Sequence, residues 1–373
     1  MKKALQFICM GFVALLFCEG IALLSSFPVD TQPYVEKKYS GWNGVIQAWI
    51  YTKWNPDGSF IRWLNSCASK FEKAHDGIYL EFIPVQEEPL QDMGASGIPV
   101  PDLIFFSPGV ITNLNMLSSL EDKAAIRDDL KNYGNGKAVP VAIGGYVWAY
   151  NTSLVGNAPR TADELSSPVL PEDVPYATLI GLLSGAFNET SEEMDLPDSG
   201  LNLGLPTSAG NGTLHFPDAT DRFIEGELSC IPVDARALGR LGRLRESGKG
   251  PAWSTAAAGE LTCTDQILLA AVPVQETNPD RAMLAEEFIS FLLEEETQDA
   301  LAGIGAFSVT GRRIHSDFSI YSEMDAMLNH LPLWLPDCFS EYSISNSDSI
   351  VRRFLRGEIS AKNALNLLGF EEV

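Results

Sequence analysis

The sequence predicts an α/β protein built as two lobes. Three observations carry that prediction. Apolar strand-like runs alternate with a helical stretch over residues 45–106. A long apolar run, Ala138–Thr152, breaks at Gly144-Gly145 and then resumes. Strand–helix–strand character returns only from Ile267 onward, beyond a looser region rich in Pro, Ser, Gly and acidic residues. Near-continuous apolar strands alternating with helices indicate a parallel sheet covered on both faces. Two glycines inside a strand pattern mark a bend or a close backbone approach, so this bend reads as the first crossover between lobes.

Taken in order, Val45–Tyr51 is a mostly apolar strand followed by a polar turn, Thr52–Ser59. Phe60, Leu64, Cys67, Ala68 and Phe71 then recur at i, i+4, i+7, i+8 and i+11, one face of a helix over Phe60–Ala74. Asp57 or Ser59 would cap it, and capping is the expected role of Asp57. Ile78–Pro84 and Asp102–Phe106 are the next two strands. Ligands of such sheets bind beyond the carboxyl ends of the strands. If these strands are parallel, Trp54–Ser59, Ser107–Gly109 and the Gly144–Trp148 bend converge there.

Short helices are expected around Thr161–Leu165 and Ala177–Leu183, and loop over most of Asp195–Gly212. Asp218–Glu225 reads as helix and Leu228–Val233 as strand, with Asp234-Ala235-Arg236 at its exit. Ile267–Val274 is another strand. Asn278-Pro279 opens a long helix, Asn as cap and Pro in the first turn, with Ala285, Phe288, Ile289, Leu292 and Leu293 as its apolar face. Gly303 and Gly305 end it, Ala306–Val309 is a further strand, and Ser349–Leu368 a final helix.

Bulk properties narrow the function classes. The 373 residues suffice for two ordinary domains or one large one. Against 26 basic residues stand 49 acidic ones, a net charge of -23 that leaves nothing to neutralise a phosphate backbone and excludes nucleic acid. Such a charge suits a soluble protein working outside the cell. Lys2-Lys3 precedes an unbroken apolar run, Phe7–Cys18, of signal-peptide length. Extended through Ile21–Leu24 it approaches the roughly 20 residues of a membrane span, at the cost of burying Glu19. Residues 1–26 are therefore read as a signal peptide or N-terminal membrane anchor, and residues 27–41 as a tether. Cys18 is a candidate for lipidation, although Phe17 stands where a lipoprotein signal has a small residue.

Cys67, Cys230, Cys263 and Cys338 form no C-x-x-C pair, so neither a zinc site nor a thioredoxin-type motif is expected. Cys67 falls on the apolar face of its helix, as a buried thiol would. A Cys230–Cys263 bridge is compatible with an exported protein, but spacing does not specify it.

Five segments in order carry a family resemblance: Ala48–His75, ending Lys-Phe-Glu-Lys-Ala-His; Pro101–Phe106; Val139–Thr152 with Pro159–Glu164; Phe223–Leu228; and Asn278–Thr310 with Ala285–Ile289, Gln298 and Ile304–Val309. In their order and spacing the chain resembles the family 1 extracellular solute-binding proteins of ABC importers, the group that includes maltose-binding protein. The resemblance spans most of Ala48–Thr310. It implies a periplasmic-binding-protein type II-like fold whose two lobes meet at a hinge of about three crossings, near Gly144–Trp148, Ile267–Val274 and Ala306–Val309. Residues 42–145 plus 268–307 would form lobe 1, and 146–267 plus 308–373 lobe 2. It further implies a monomer that delivers a carbohydrate to permease subunits in the membrane, at the outer face of the cell membrane or in the periplasm. Thr152–Asp218 departs from maltose-binding protein in being shorter and less helical.

Sugar sites combine aromatic faces with planar polar groups. The candidates are Trp54 and Asn55 in the first turn, Ser107 after the third strand, and Tyr146 and Trp148 beside the bend. Being two apart, Tyr146 and Trp148 share a side, either cleft or core. In the second lobe the candidates are Asp234 and Arg236, which could equally bridge each other on the surface, and Trp253 and Trp334 in loop-like settings. Trp42, Trp49 and Trp63 read as core or tether packing. Gly144 and Gly145 are the candidate hinge, and replacing both with valine is expected to stiffen closure and weaken ligand affinity with the fold retained. The chain has no G-x-S-x-G, H-E-x-x-H or P-loop, and His75, His215, His315 and His330 are scattered. No catalytic residue, cofactor or metal is expected. Two alternatives stay open: a membrane-anchored ligand sensor or surface binding module, and an exported glycan-active enzyme, since carboxylates are abundant.

Overall fold

The first apolar run becomes β1 (Gly44–Tyr51), which pairs in parallel with β2 (Ile78–Pro84) on one side and β3 (Leu103–Phe106) on the other. The computed structural model describes residues 42–157, 170–171, 215–216 and 219–350, less 96–97, 121–124, 257–261, 275–278, 312–319, 332, 341–345 and 348, with a few single residues beyond. The leader and tether, the helices expected near Thr161–Leu165 and Ala177–Leu183, the loop Asp195–Gly212 and most of Ser349–Leu368 lie outside the described residues. Among the described residues no helix is long and apolar enough to cross a membrane.

Between β1 and β2 runs α1 (Phe60–Ala74), as its apolar spacing predicts. Ser59 caps it, its hydroxyl accepting from the Arg62 N–H at 3.4 Å. The predicted face is the buried one, widened by Trp63, whose indole donates to the Thr297 carbonyl at 3.2 Å. After the short α2 (Glu87–Gln91) and β3, the chain reaches β4 (Val139–Ile143), and the sheet order is β2-β1-β3-β9-β4. Strand β9 (Ile267–Ala271) enters antiparallel to both β3 and β4, so the sheet is mixed rather than wholly parallel. The reason is connectivity. The chain comes back to this sheet at the edge where β4 leaves it, so β9 has to run the opposite way. All five residues of both β4 and β9 are buried, in keeping with their continuous apolar sequences.

Beyond Gly144-Gly145, β5 (Tyr146–Asn151) is the centre of a second sheet. It pairs antiparallel with β6 (Cys230–Asp234) and β7 (Trp253–Ala256). The short α3 (Ala219–Ile224) precedes β6, and α4 (Ala235–Glu246) follows it. Asp234-Ala235-Arg236 lies at the strand's exit, as expected, and is also the start of this helix, with the Asp234 carboxylate accepting from the Ala237 N–H at 2.8 Å. Gly239 and Gly242 obscure α4 in the sequence because glycine is a poor helix former. The two-residue strand β8 (Thr262–Cys263) precedes β9 and pairs with a later strand, β10 (Leu333–Trp334).

The helix α5 (Pro279–Leu292) buries Leu284, Ala285, Phe288, Ile289 and Leu292. It is followed by α6 (Glu295–Asp299) and a 3₁₀ turn over Ala300–Ile304. From α6 the buried Gln298 amide donates to the carbonyls of Val141 at 3.0 Å and Leu292 at 2.7 Å. Its oxygen accepts from the Ser308 hydroxyl at 2.9 Å and the Val309 N–H at 3.0 Å. Ala306–Val309, expected as a strand, contributes a single bridge, Phe307 with Ile143. The helix α7 (Ser322–His330) completes the described framework.

All four cysteines of this region are buried free thiols, so the Cys230–Cys263 bridge is not formed. Burial pushes the Cys67 thiol up to about 12, against the opposing pull of Lys70, and the Cys230 thiol to about 11. Thiolate, the reactive form, is thus suppressed. A reductant is expected to leave the melting temperature unchanged, and a thiol reagent to reach these four cysteines only after denaturation. A reductant-induced drop in Tm would contradict the free-thiol state.

Candidate functional site

Strands β1, β3 and β4 run the same way, and their carboxyl ends share one edge, as the sequence predicts. The β1–α1 turn crosses this edge and is fastened to it. The backbone N–H of Lys53 donates to the hydroxyl of Ser107 at 2.9 Å, just past the end of β3. Ser107 is itself buried, and its hydroxyl fastens the turn. Trp54 is also buried. Its ring meets Phe60 edge-on at 4.9 Å and lies so close to Gly144 that a Cβ there would sit 2.8 Å from its Cζ3. The Trp54 indole N–H has no partner among the described residues. Asn55 is exposed in the same turn. Asp57 does not cap α1; it accepts from the guanidinium of Arg243 and the hydroxyl of Tyr321.

The crossover is held by a set of hydrogen bonds to the segment before β9. Gly144 donates its N–H to the Gln266 carbonyl at 2.6 Å, and its own carbonyl accepts from the Thr264 hydroxyl at 2.9 Å. One residue earlier, Ile143 and Phe307 exchange backbone bonds of 3.1 and 2.8 Å. The three segments read as crossings therefore touch one another at Ile143–Gly144, Gln266 and Phe307. Gly144 is required for space, since a Cβ would fall 2.4 Å from the Gln266 Oε1. The left-handed backbone that usually demands glycine is not found at this position.

Two residues on, the Tyr146 hydroxyl donates to the Asp265 carboxylate at 3.0 Å. Asp265 is half-buried, and no cation pairs with it among the described residues. Burial pushes its carboxyl up to about 6, partly opposed by the Tyr146 hydrogen bond and aided by the nearby Asp234. Burial, with the charges of Asp265 and Asp234, holds the Tyr146 phenol well above its ordinary range. At neutral pH the site thus offers an ionised acceptor beside a neutral phenol, both suited to hydroxyl groups.

Sequence reasoning missed Thr264, Asp265 and Gln266. Their signal was a polar triplet placed directly before an apolar strand at a crossing. Trp334, on β10, is half-buried and its backbone enters beside them, since it pairs with Cys263 and its carbonyl accepts from the Thr264 N–H at 3.3 Å. The structure does not bring the other aromatics to this edge. Trp148 is fully buried in the middle of the second sheet, opposite Pro232 and Ala256. Tyr146 and Trp148 do share a side, and both are buried, but only Tyr146 lies next to the crossover. Trp253 is a strand residue, not a loop residue, and the Arg245 guanidinium covers its ring at 4.6 Å. Asp234 caps α4, while Arg236 is exposed on the first turn of that helix.

Two sheets linked by crossings that meet at the carboxyl edge of the first define a periplasmic-binding-protein fold. The fold is that of the family 1 extracellular solute-binding proteins, as the sequence resemblance implied. The solved structure of such a protein from Bifidobacterium longum subsp. infantis superposes with a TM-score of 0.64, covering 88% of this chain and 98% of that one at 14% identity. The cyclic alpha-maltosyl-1,6-maltose binding protein of Arthrobacter globiformis gives 0.60, with 88% and 97% covered, again at 14% identity. The GacH receptor of Streptomyces glaucescens GLA.O, solved unliganded and with acarbose, gives 0.55 at the same identity, with 88% and 97% covered. No family profile matches the sequence, and no curated protein does. At this identity the likeness establishes the fold, and the site has to speak for the ligand.

Proposed function

We propose that this protein is the extracellular solute-binding component of an ABC importer, capturing an oligosaccharide between two lobes and handing it to the membrane permease. The observation that carries the reading is the Tyr146–Asp265 pair, on a segment whose preceding residues Cys263 and Thr264 pair with the half-buried Trp334. A carboxylate accepts from sugar hydroxyls, a phenol both donates and accepts, and an indole face covers the C–H surface of a pyranose. The fold supports the role, and two of the similar structures are described with saccharide-type ligands, cyclic alpha-maltosyl-1,6-maltose and acarbose.

In this reading residues 42–145 plus 268–307 move against 146–267 plus 308–373, with Gly144 and Gly145 at the pivot. Closure buries the ligand and marks the loaded state for the permease. Residues 1–26 export the chain, as a signal peptide or as an N-terminal membrane anchor, and the protein works as a monomer. Asn55 and Trp334 line the approach, Trp54 backs it from beneath, and Trp148 and Trp253 serve packing.

Isothermal titration of the purified protein against maltose, linear malto-oligosaccharides, cyclic maltosyl-maltose and acarbose is expected to give one-site binding in the micromolar range or tighter. Heat from none of them, with tight binding of a metal, polyamine or phosphate, would sink the carbohydrate assignment. Hydrolysis of a bound glycan would replace the transport reading by an enzymatic one.

A further inference from the structure

Asp57 and α4 make a contact that none of the binding chemistry above uses. The turn bearing Asp57 extends from β1 of the first sheet and is pinned on that side, Gly58 donating its N–H to the Ile304 carbonyl at 2.8 Å. Helix α4 extends from β6 of the second sheet. Across the gap the Arg243 guanidinium grips the Asp57 carboxylate with both arms, at 2.7 and 2.9 Å. The Tyr321 hydroxyl, just before α7, donates to the same carboxylate at 3.1 Å. Burial and the Asp57 charge raise the Tyr321 phenol, which keeps it a donor.

The carboxylate also has a seat. A Cβ on Gly239, one turn before Arg243 on α4, would lie 2.2 Å from the Asp57 Oδ2. Glycine inside a helix weakens it, and at Gly239 the gain that offsets this is room for Asp57.

We propose that Asp57, Arg243 and Tyr321 form a clasp that holds the two sheets together across the cleft before any ligand arrives. The clasp rests on the two-lobed closure proposed above. It makes the ligand-free protein partly closed, so that ligand entry waits on its release. A bidentate pair gives the contact orientation as well as attraction. The Arg243 side chain is 61% exposed, which makes the attraction sensitive to salt.

The test is small-angle scattering of the ligand-free full chain, fitted as closed and open forms, for the unmodified protein, Arg243→Gln and Gly239→Ala. Each variant is expected to lower the closed-to-open ratio roughly two- to fivefold, with a larger radius of gyration and unchanged circular dichroism. Gly239→Ala separates a clasp from a merely structural role, because alanine strengthens the helix itself while displacing the carboxylate. Should a variant fail to fold, the unmodified protein in about 1 M salt gives a second reading in the same direction, because salt weakens the exposed Arg243 side of the pair. Scattering that is unchanged by salt and by every folded variant overturns the clasp. The measurement contains no ligand, so its failure is distinct from failure of the saccharide assignment.

Discussion

Gly144→Val is expected to lower the free energy of unfolding by about 3 kcal/mol and to remove saccharide binding. The new Cβ alone would lie 2.4 Å from the Gln266 Oε1, 2.8 Å from the Trp54 Cζ3 and 3.0 Å from the Gln266 Cβ. Valine adds two methyls that are stiff about χ1. The neighbours have little room to yield. Trp54 is buried against Phe60, and the Gln266 backbone accepts from Gly144 at 2.6 Å. Relief therefore comes by parting the crossover from the segment that carries Asp265. Gly145→Val is milder, because the three atoms nearest its Cβ are Leu328 side-chain carbons at 3.1 to 3.3 Å, and that side chain can change rotamer. Fold retention is therefore predicted for valine at 145 alone. Denaturant titration of the two single variants, paired with calorimetric titration of the sugar panel, checks this. A Gly144→Val protein with the unmodified midpoint would refute the close-packed reading.

Asp265→Asn is expected to weaken saccharide binding by about 10- to 100-fold, the scale of one hydrogen bond to a charged group, and to flatten its pH dependence. Sugar hydroxyls donate best to the ionised form, so affinity in the unmodified protein climbs as pH rises from 5 to 7 through the carboxyl's value of about 6. Stability of the ligand-free protein moves the other way. The folded value lies above the ~3.9 of an unfolded aspartate. The contribution of this group is therefore fully present below about pH 4 and lost as pH rises through about 6. Calorimetry at pH 5, 6 and 7 on both proteins reads the affinity arm. Equal affinities at all three values in the unmodified protein would remove Asp265 from the site.

Local pattern determined a large share of this molecule. Periodicity placed α1 on its observed residues and named its buried face. Apolar runs located β1, β2, β4 and β5, and Asn278-Pro279 located the start of α5. These features are encoded by neighbours a few residues apart, where side-chain spacing directly states which face is buried. The bend at Gly144-Gly145 was legible for the same reason.

Why the bend needs glycine is visible only in three dimensions. Gly144 has to be glycine because Gln266 and Trp54, more than 80 residues from it on either side in chain position, come to rest against it. Asp57 looked like a helix cap, since capping needs only the next turn of chain, and tertiary contact gave it Arg243 and Tyr321 instead. Trp148 and Trp253 looked available for stacking until the second sheet and Arg245 covered them. Thr264, Asp265 and Gln266 carry no motif as an isolated triplet, and their bonds to Gly144 and Tyr146 arise only where the chain enters β9 of the first sheet. Sequence by itself decided the elements and the fold they make. Which polar and aromatic groups meet was decided by the tertiary structure, because contacts between distant segments depend on strand direction and close approach, which no short window of sequence contains.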